Sequence, residues 1–171
     1  FLNRSIFTSF IVDLSILNKL GLSIVVVHGG GPRIQKELEK SNIQSKFIRG
    51  LRVTDEKIID IVEKVLIDFN NDIVNSLEKM DTKAVSIHTK KNNVIEVLRD
   101  APELGFVGTP NKINNEIILK IIKDGKIPII SPLGLKENQA FNINGDVAAG
   151  KIAQSLKSVS YTHLRAHETR P

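Results

Sequence analysis

The chain has 171 residues, 41% of them hydrophobic and 25% charged, with a net charge of +5 and no cysteine. That length and balance suit one ordinary domain with a real core, and they exclude a disordered chain, a disulfide framework and a thiolate metal site. No apolar run approaches the roughly 20 residues of a membrane span, and no signal peptide is visible, so the reading is a cytoplasmic protein without a membrane partner. The lysines are interleaved with acids (Lys36-Glu37, Glu63-Lys64, Glu78-Lys79), so the positive charge reads as a solvated surface rather than a nucleic-acid footprint.

Residues 5–20 place Phe7, Phe10, Ile11, Leu14, Leu17 and Leu20 at helical spacing, and Gly21 stands where a helix ends. The β-branched run 24–27 predicts a buried strand. It leads into Gly29, Gly30 and Gly31, and Pro32 suits the first turn of a helix reaching about Lys40. Residues 46–49 read as a short strand. Thr54 is a good N-cap, with Asp55 and Glu56 in the first turn after it. From Ile58 to Met80 the apolar residues describe a long amphipathic helix. Its apolar face is wide enough for either the core or an oligomer interface.

Residues 84–88 and 94–98 read as strands joined through TKKNN as a hairpin, and GFVGTP as a short strand ending in a turn. Residues 113–123 predict a helix closed by Gly125. A strand follows over 127–131, with Pro128 tolerable only at its start or at an edge. A last strand over 140–143 precedes a small-residue helix over 145–157. Helices alternating with apolar strands predict an α/β fold, a three-layer αβα sandwich around a mainly parallel open sheet.

The ends read differently from the middle. The chain opens on Phe1 rather than Met, so a start further upstream is expected. The segment SVSYTHLRAHETRP at 158–171 has no Lys, Ile or Asn, yet holds two of the four histidines and the single tyrosine. It resembles translated sequencing-adapter read-through. The expected division is therefore a partial domain over 1–158 and a non-native tail over 159–171, whose His163 and His167 are not taken as metal ligands.

Three stretches could carry chemistry. Gly29, Gly30 and Gly31 fall between a strand end and a helix start, the rim where ligands bind in parallel sheets. Unpaired N–H groups and the positive helix end favour an anion there. The dinucleotide pattern fails because its third glycine would fall on Ile34, and no Gly-Lys-Ser/Thr follows for a Walker loop. A tight structural turn stays open beside the anion reading. In GLRVTD, 50–55, Arg52 either clamps a carboxylate with two N–H bonds or pairs on the surface with Asp55 or Glu56. In FNINGDVAAG, 141–150, Asn142 and Asn144 share one side of a strand end. Asp146 then either caps the next helix or orients a cation. His28 reads as a hydrogen-bonded structural histidine, and His88 receives no role.

Taken in order, VVVHGGGP, GLRVTD, ELGFVG at 103–108 and FNINGDVAAG resemble the motifs of the N-acetylglutamate kinases, within the amino-acid kinase family, over roughly residues 3–157. The resemblance implies an open sheet between helix layers, with the amino-acid site in an N-terminal lobe and the ATP site in a C-terminal lobe. It implies ATP with Mg2+ as co-substrate, no tightly bound cofactor and no resident metal. The implied reaction phosphorylates the side-chain carboxylate of N-acetyl-L-glutamate, giving N-acetyl-L-glutamyl 5-phosphate for arginine biosynthesis. A homodimer or higher homo-oligomer is implied for the full-length protein.

Residue by residue, the resemblance gives Gly29, Gly30 and Gly31 to the phosphoryl group, with Gly30 and Gly31 also meeting the substrate. It gives Arg52 the α-carboxylate of the acid, Asn142 the same substrate, and Asp146 the task of orienting catalytic lysines. It also implies a lysine-bearing strand before Asn3 and a nucleotide lobe beyond Lys157, so the 171 residues alone are expected to be inactive. SIHTKKNN at 86–93 departs from the family's glycine-rich turn. The rival readings are a related acylamino-acid or aminoadipate kinase, a non-catalytic ligand-binding regulatory module, and a basic nucleic-acid binder.

Overall fold

A computed structural model of the chain describes residues 4–156. The expected tail at 159–171 lies outside the described residues. Helix α1 (Arg4–Lys19) ends at Gly21, whose φ of +86° suits glycine, and Leu22 N–H closes back on the Leu17 carbonyl. Strand β1 (Val26–Val27) leads through the glycines into α2 (Gly31–Lys40), with Pro32 in its first turn. Helix α3 (Glu56–Glu78) follows, then β4 (Ala84–Ile87). Helix α4 (Asn115–Lys123) ends before Gly125 and leads into β7 (Ile127–Ile130). Helix α5 (Gly145–Ser155) closes the described chain.

Strands β1, β7 and β4 form a parallel sheet in that order, with Val26 opposite Ile129 and Ile87 opposite Ile130. Side chains alternate across β7, as a pleated strand requires. Ile127 and Ile129 pack with Ile11 and Leu14 of α1 and Phe69, Ile73 and Leu77 of α3. Ile130 packs on the other face with Ile118 and Ile121 of α4 and Ala148 and Ile152 of α5. The result is the expected α/β architecture, a parallel sheet between two helix layers. The apolar face of α3 is consumed by this core and by a third cluster with Ile34 and Leu38 of α2. The reading of this face as part of the core is thereby borne out. No helix among the described residues is long and apolar enough to cross a membrane.

Several local expectations are corrected. The expected hairpin over 84–98 does not form, because β4 joins β7 while β5 (Ile95–Arg99) joins a second sheet. An apolar run flanked by turn residues marks a strand but not its partner. TKKNN instead holds a tight turn in which His88 and Lys91 exchange both backbone hydrogen bonds. The segment GFVGTP, 105–110, does not end in a turn. It opens β6 (Gly108–Ile113), whose Pro110 is tolerated because β6 is the edge strand of that second sheet, beside β5. Strand β8 (Leu133–Lys136), which sequence patterning misses, pairs with β9 (Gln139–Asn142) across Glu137 and Asn138, both at positive φ. Residues 46–49 likewise begin a hairpin: β2 (Phe47–Ile48) turns through Arg49 and Gly50, at φ +51° and +80°, into β3 (Leu51–Arg52). Two consecutive positive φ values make the turn whose twist matches paired strands.

Pro128 sits in the middle strand of its sheet. Ile127 N–H is given to Lys83 on the β4 side, so the missing donor of residue 128 falls on the β1 side. There β1 pairing begins only at Val26 opposite Ile129, and no ladder bond is lost.

Candidate functional site

The site is built where α2, α5, the β2–β3 hairpin and the end of β9 meet. Gly145, the first residue of α5, lies against the glycine loop: a Cβ on it would sit 3.6 Å from Gly29 Cα and 3.7 Å from the His28 carbonyl. Two helix N-termini, those of α2 and α5, therefore converge on Gly29 at the carboxyl end of β1. A Cβ on Gly30 would lie 2.6 Å from Leu66 Cδ2, so a side chain there would have to displace the buried end of Leu66. Gly29 and Gly31 border open space. Among the described residues, none of the N–H groups of Gly29, Gly30 and Gly31 finds an acceptor. Unpaired amides at paired helix N-termini are suited to an anion.

Arg52 reaches the same region from β3. Its Nη1 donates to Gln35 Oε1 at 3.1 Å and to Ser45 Oγ, and Ser45 Oγ donates to Gln35 Oε1 at 2.6 Å. Its guanidinium lies 4.7 Å from the centre of the Phe47 ring, a cation–π stack. Burial lowers its pKa from the usual arginine value. Among the described residues no carboxylate pairs with it, so the alternative pairing with Asp55 or Glu56 is not formed. Asp55 instead caps α3, its carboxylate accepting from Lys57 N–H and Ile58 N–H. The result is a held, stacked guanidinium whose charge is not neutralised by an acid.

Thr54, expected as that cap, is fully buried and serves as a tie. Its hydroxyl donates to the Arg52 carbonyl at 2.9 Å and accepts from Asn142 Nδ2 at 3.4 Å. Its carbonyl accepts from Phe106 N–H at 2.7 Å, and its N–H is given to Leu104. Asn142 N–H is given to the Phe106 carbonyl. ELGFVG thus bridges the arginine segment to the end of β9. Two residues on, Asn144 caps α5, its side-chain oxygen accepting from Asp146 N–H and Val147 N–H. This corrects the capping alternative for Asp146: the cap belongs to Asn144, and Asp146 follows it in the exposed first turn of α5.

Gly29, Gly145, Asn142, Thr54, Arg52, Gln35 and α2 therefore form a closed ring of contacts, and the candidate residues Gly30, Gly31 and Asp146 lie beside it. Sequence reasoning missed Gln35 and Ser45, which hold Arg52, and Asn70, which holds His28. His28 Nε2 lies 2.6 Å from Asn70 Oδ1, and burial lowers its pKa despite that bond.

A cleft of about 280 Å³ opens elsewhere, among α3, Thr89, Lys90 and the β8–β9 hairpin. Of its two acids, Asp60 and Glu63, Glu63 is already satisfied, accepting from Thr89 Oγ1 at 2.5 Å and pairing with Lys90 at 2.9 Å. Among the described residues no cluster of His, Asp and Glu is arranged to hold a metal ion.

Comparison with known proteins gives the family and the fold. A model described as the amino acid kinase family matches residues 3–162. The acetylglutamate kinase of Pelagibacter ubique is 53% identical over 154 residues, covering 90% of this chain and 54% of that protein. The acetylglutamate kinase of Ruegeria pomeroyi is 43% identical over 152 residues, 88% of this chain and 53% of that protein. The chain thus spans about half the length of the curated relatives it matches. Among solved structures, smu.665 from Streptococcus mutans superposes with a TM-score of 0.80 at 29% identity, covering 86% of this chain and 61% of that one. An N-acetylglutamate synthase from Neisseria gonorrhoeae, complexed with coenzyme A and N-acetyl-glutamate, shares the fold with a TM-score of 0.78 at 22% identity, covering 91% of this chain and 37% of that one.

Proposed function

The chain belongs to the amino acid kinase family, and from that premise we propose that the full-length protein is an acetylglutamate kinase. It transfers the γ-phosphoryl group of ATP to the side-chain carboxylate of N-acetyl-L-glutamate. The product is the acyl phosphate N-acetyl-L-glutamyl 5-phosphate, made in the cytoplasm on the way to arginine. Residues 1–158 are the acid-binding part of its domain.

What supports this reading is the closed ring, which joins amides at two helix N-termini to an arginine, neither of them paired with an acid among the described residues. One edge suits a phosphoryl group and the other a carboxylate. Gly29, Gly30 and Gly31 offer N–H groups to the phosphoryl in transit. Arg52 takes the α-carboxylate, with Gln35, Ser45 and Phe47 fixing its plane. Asn142 holds the acid from the end of β9.

The nucleophile is already a carboxylate and needs no general base. The difficulty is to bring two anions together, so positioning and charge neutralisation carry the catalysis. Asp146 accordingly orients phosphate-neutralising lysines rather than abstracting a proton. Mg2+ arrives with the nucleotide, and no cofactor stays bound. The full-length protein works as a homodimer or higher homo-oligomer.

An ATP-dependent hydroxamate assay on the full-length protein tests the reading. Turnover with N-acetyl-L-glutamate, well above that with N-acetyl-L-aminoadipate, is expected. The reverse preference, or no turnover with either acid, would overturn it.

A further inference from the structure

His28 and Asn70 take no part in the chemistry proposed above, yet together they hold the first peptide of the glycine loop. Asn70, in α3, is fully buried. Its Nδ2 lies 2.9 Å from the Ile129 carbonyl, 3.2 Å from the Ile87 carbonyl and 2.7 Å from Ser86 Oγ. Carbonyls only accept, so this atom must be the amide nitrogen, and the atom facing His28 Nε2 must be the oxygen. That oxygen also only accepts, so Nε2 carries a hydrogen. The other ring nitrogen, Nδ1, lies 3.2 Å from the Gly29 carbonyl, a further acceptor. Both contacts are satisfied together only when the ring carries two protons. A neutral ring protonated at Nε2 sets a lone pair against the Gly29 oxygen.

Peptide planarity carries this to the site. No described peptide is cis, and in a trans peptide the carbonyl of one residue and the N–H of the next point in opposite directions. A bond that turns the Gly29 carbonyl toward the imidazole therefore turns the Gly30 N–H away from it. We propose that His28, oriented by Asn70, is a positioning residue: its imidazolium holds the Gly29 carbonyl and so aims the Gly30 N–H at an anion on the loop. This rests on the phosphoryl-binding reading of the loop.

The surroundings make that proton conditional. The charged group acting on the ring is Arg33 of α2, itself paired with Asp72 of α3 at 2.6 Å. From α3 the Phe69 ring also packs on it, 4.8 Å centre to centre. The neighbouring strands contribute Ser86, by way of Asn70, and backbone carbonyls, and α5 approaches with Gly145, ahead of Asp146. Burial first, and Arg33 in addition, lower the pKa of His28 from its ordinary 6.5. A polyanion on the loop reverses this balance, so anion binding takes up a proton at His28.

Side-chain nitrogen NMR of the 171-residue chain between pH 5 and 8 tests the geometry without reference to the reaction. The expected result is Nε2 protonated throughout and the Gly30 amide resonance titrating together with His28. A neutral tautomer protonated at Nδ1, or a Gly30 amide indifferent to that titration, would overturn the proposal.

Two variants of the full-length enzyme provide the second arm. His28→Asn sets an amide nitrogen near the Nδ1 position and keeps the tether without a titrating proton. His28→Gln sets one near Nε2 and loses the tether. The Asn variant is expected to keep kcat within about threefold, with a flattened profile between pH 5 and 8, whereas the Gln variant loses about tenfold in kcat with KM for N-acetyl-L-glutamate nearly unchanged. Equal losses in both, tracking thermal stability alone, would reduce His28 to a packing residue and overturn the inference. If the wild-type protein phosphorylates no acyl amino acid, the proposed function fails and the NMR arm alone decides this one.

Discussion

Gly105 and Thr54 pass so closely that no side chain fits at position 105. Gly105 stands at φ +73°, and a Cβ on it would run into the Thr54 carbonyl. The same approach lets Phe106 N–H reach that carbonyl at 2.7 Å and brings Thr54 beneath Asn142. Gly105→Ala therefore meets both backbone strain and a collision with a backbone atom that cannot swing aside. A loss of about 2–4 kcal/mol is expected, measured as a lowered urea midpoint with unchanged slope. A stability within about 0.5 kcal/mol of wild type would show that the two segments are not held together.

Arg52 is held by shape as well as charge. Its Nη1 donates to both Gln35 and Ser45, and its guanidinium lies over the Phe47 ring. A lysine keeps the charge but has neither the fork nor the plane. Arg52→Lys is expected to weaken N-acetyl-L-glutamate binding about 10- to 100-fold, with the fold intact. Phe47→Ala removes only the stack and should weaken it by about 3- to 10-fold. Calorimetry on the full-length protein measures both, and wild-type affinity in Arg52→Lys would remove the bidentate clamp from the proposed function.

How far the fold was legible follows from what is local. The apolar spacing of α1 and α3, the glycines after α1 and α4, and the β-branched run before Gly29 each act within a few residues, and each marks its element. Strand pairing is not local. Nothing near Ala84–Ile87 says that its partner is Ile127–Ile130, and nothing near Ile95–Arg99 says that it belongs to another sheet. The caps show the same limit. Thr54 and Asp55 are adjacent and both capable, and only the approach of Gly105 makes Thr54 the buried tie and leaves Asp55 the cap. Arg52, Asn142 and the glycines could be named from their own stretches. Gln35, Ser45 and Asn70 could not, because their roles arise from contacts between elements far apart in the chain.

Asn144 and Asp146 separate capping from chemistry within one helix start. Asn144 accepts from Asp146 N–H and Val147 N–H at 2.9 and 3.1 Å, so Asn144→Ala is expected to cost about 1 kcal/mol of stability. Asp146 stands in the first turn, where its charge meets the positive end of the helix. Asp146→Asn is expected to cost no more than about 0.5–1 kcal/mol, while lowering kcat of the full-length enzyme about 100-fold or more. Denaturation and turnover of the two variants, measured side by side, check the split. A large stability loss in Asp146→Asn with kcat preserved would reverse the two assignments.

His88 closes β4 beside two lysines, and its position makes stability depend on pH. The ring is buried, and its Nδ1 accepts from Lys90 N–H at 3.2 Å. Burial first, then the charge of Lys91, lower its pKa from the ordinary 6.5; Glu63 opposes and Lys90 adds a smaller push. His28 is shifted in the same direction by burial. A histidine whose folded pKa lies below its unfolded value binds fewer protons in the folded state. Its stabilisation is fully present above about 6.5 and is lost as the pH falls below that value toward the folded pKa. The urea midpoint is therefore expected to fall between pH 7 and pH 5. His88→Asn keeps an acceptor for Lys90 N–H and removes the titration, so the difference between wild type and variant should narrow steadily over that interval. A difference that stays constant would mean that His88 titrates alike in the folded and unfolded chain, and one that widens toward pH 5 that its folded pKa is raised rather than lowered.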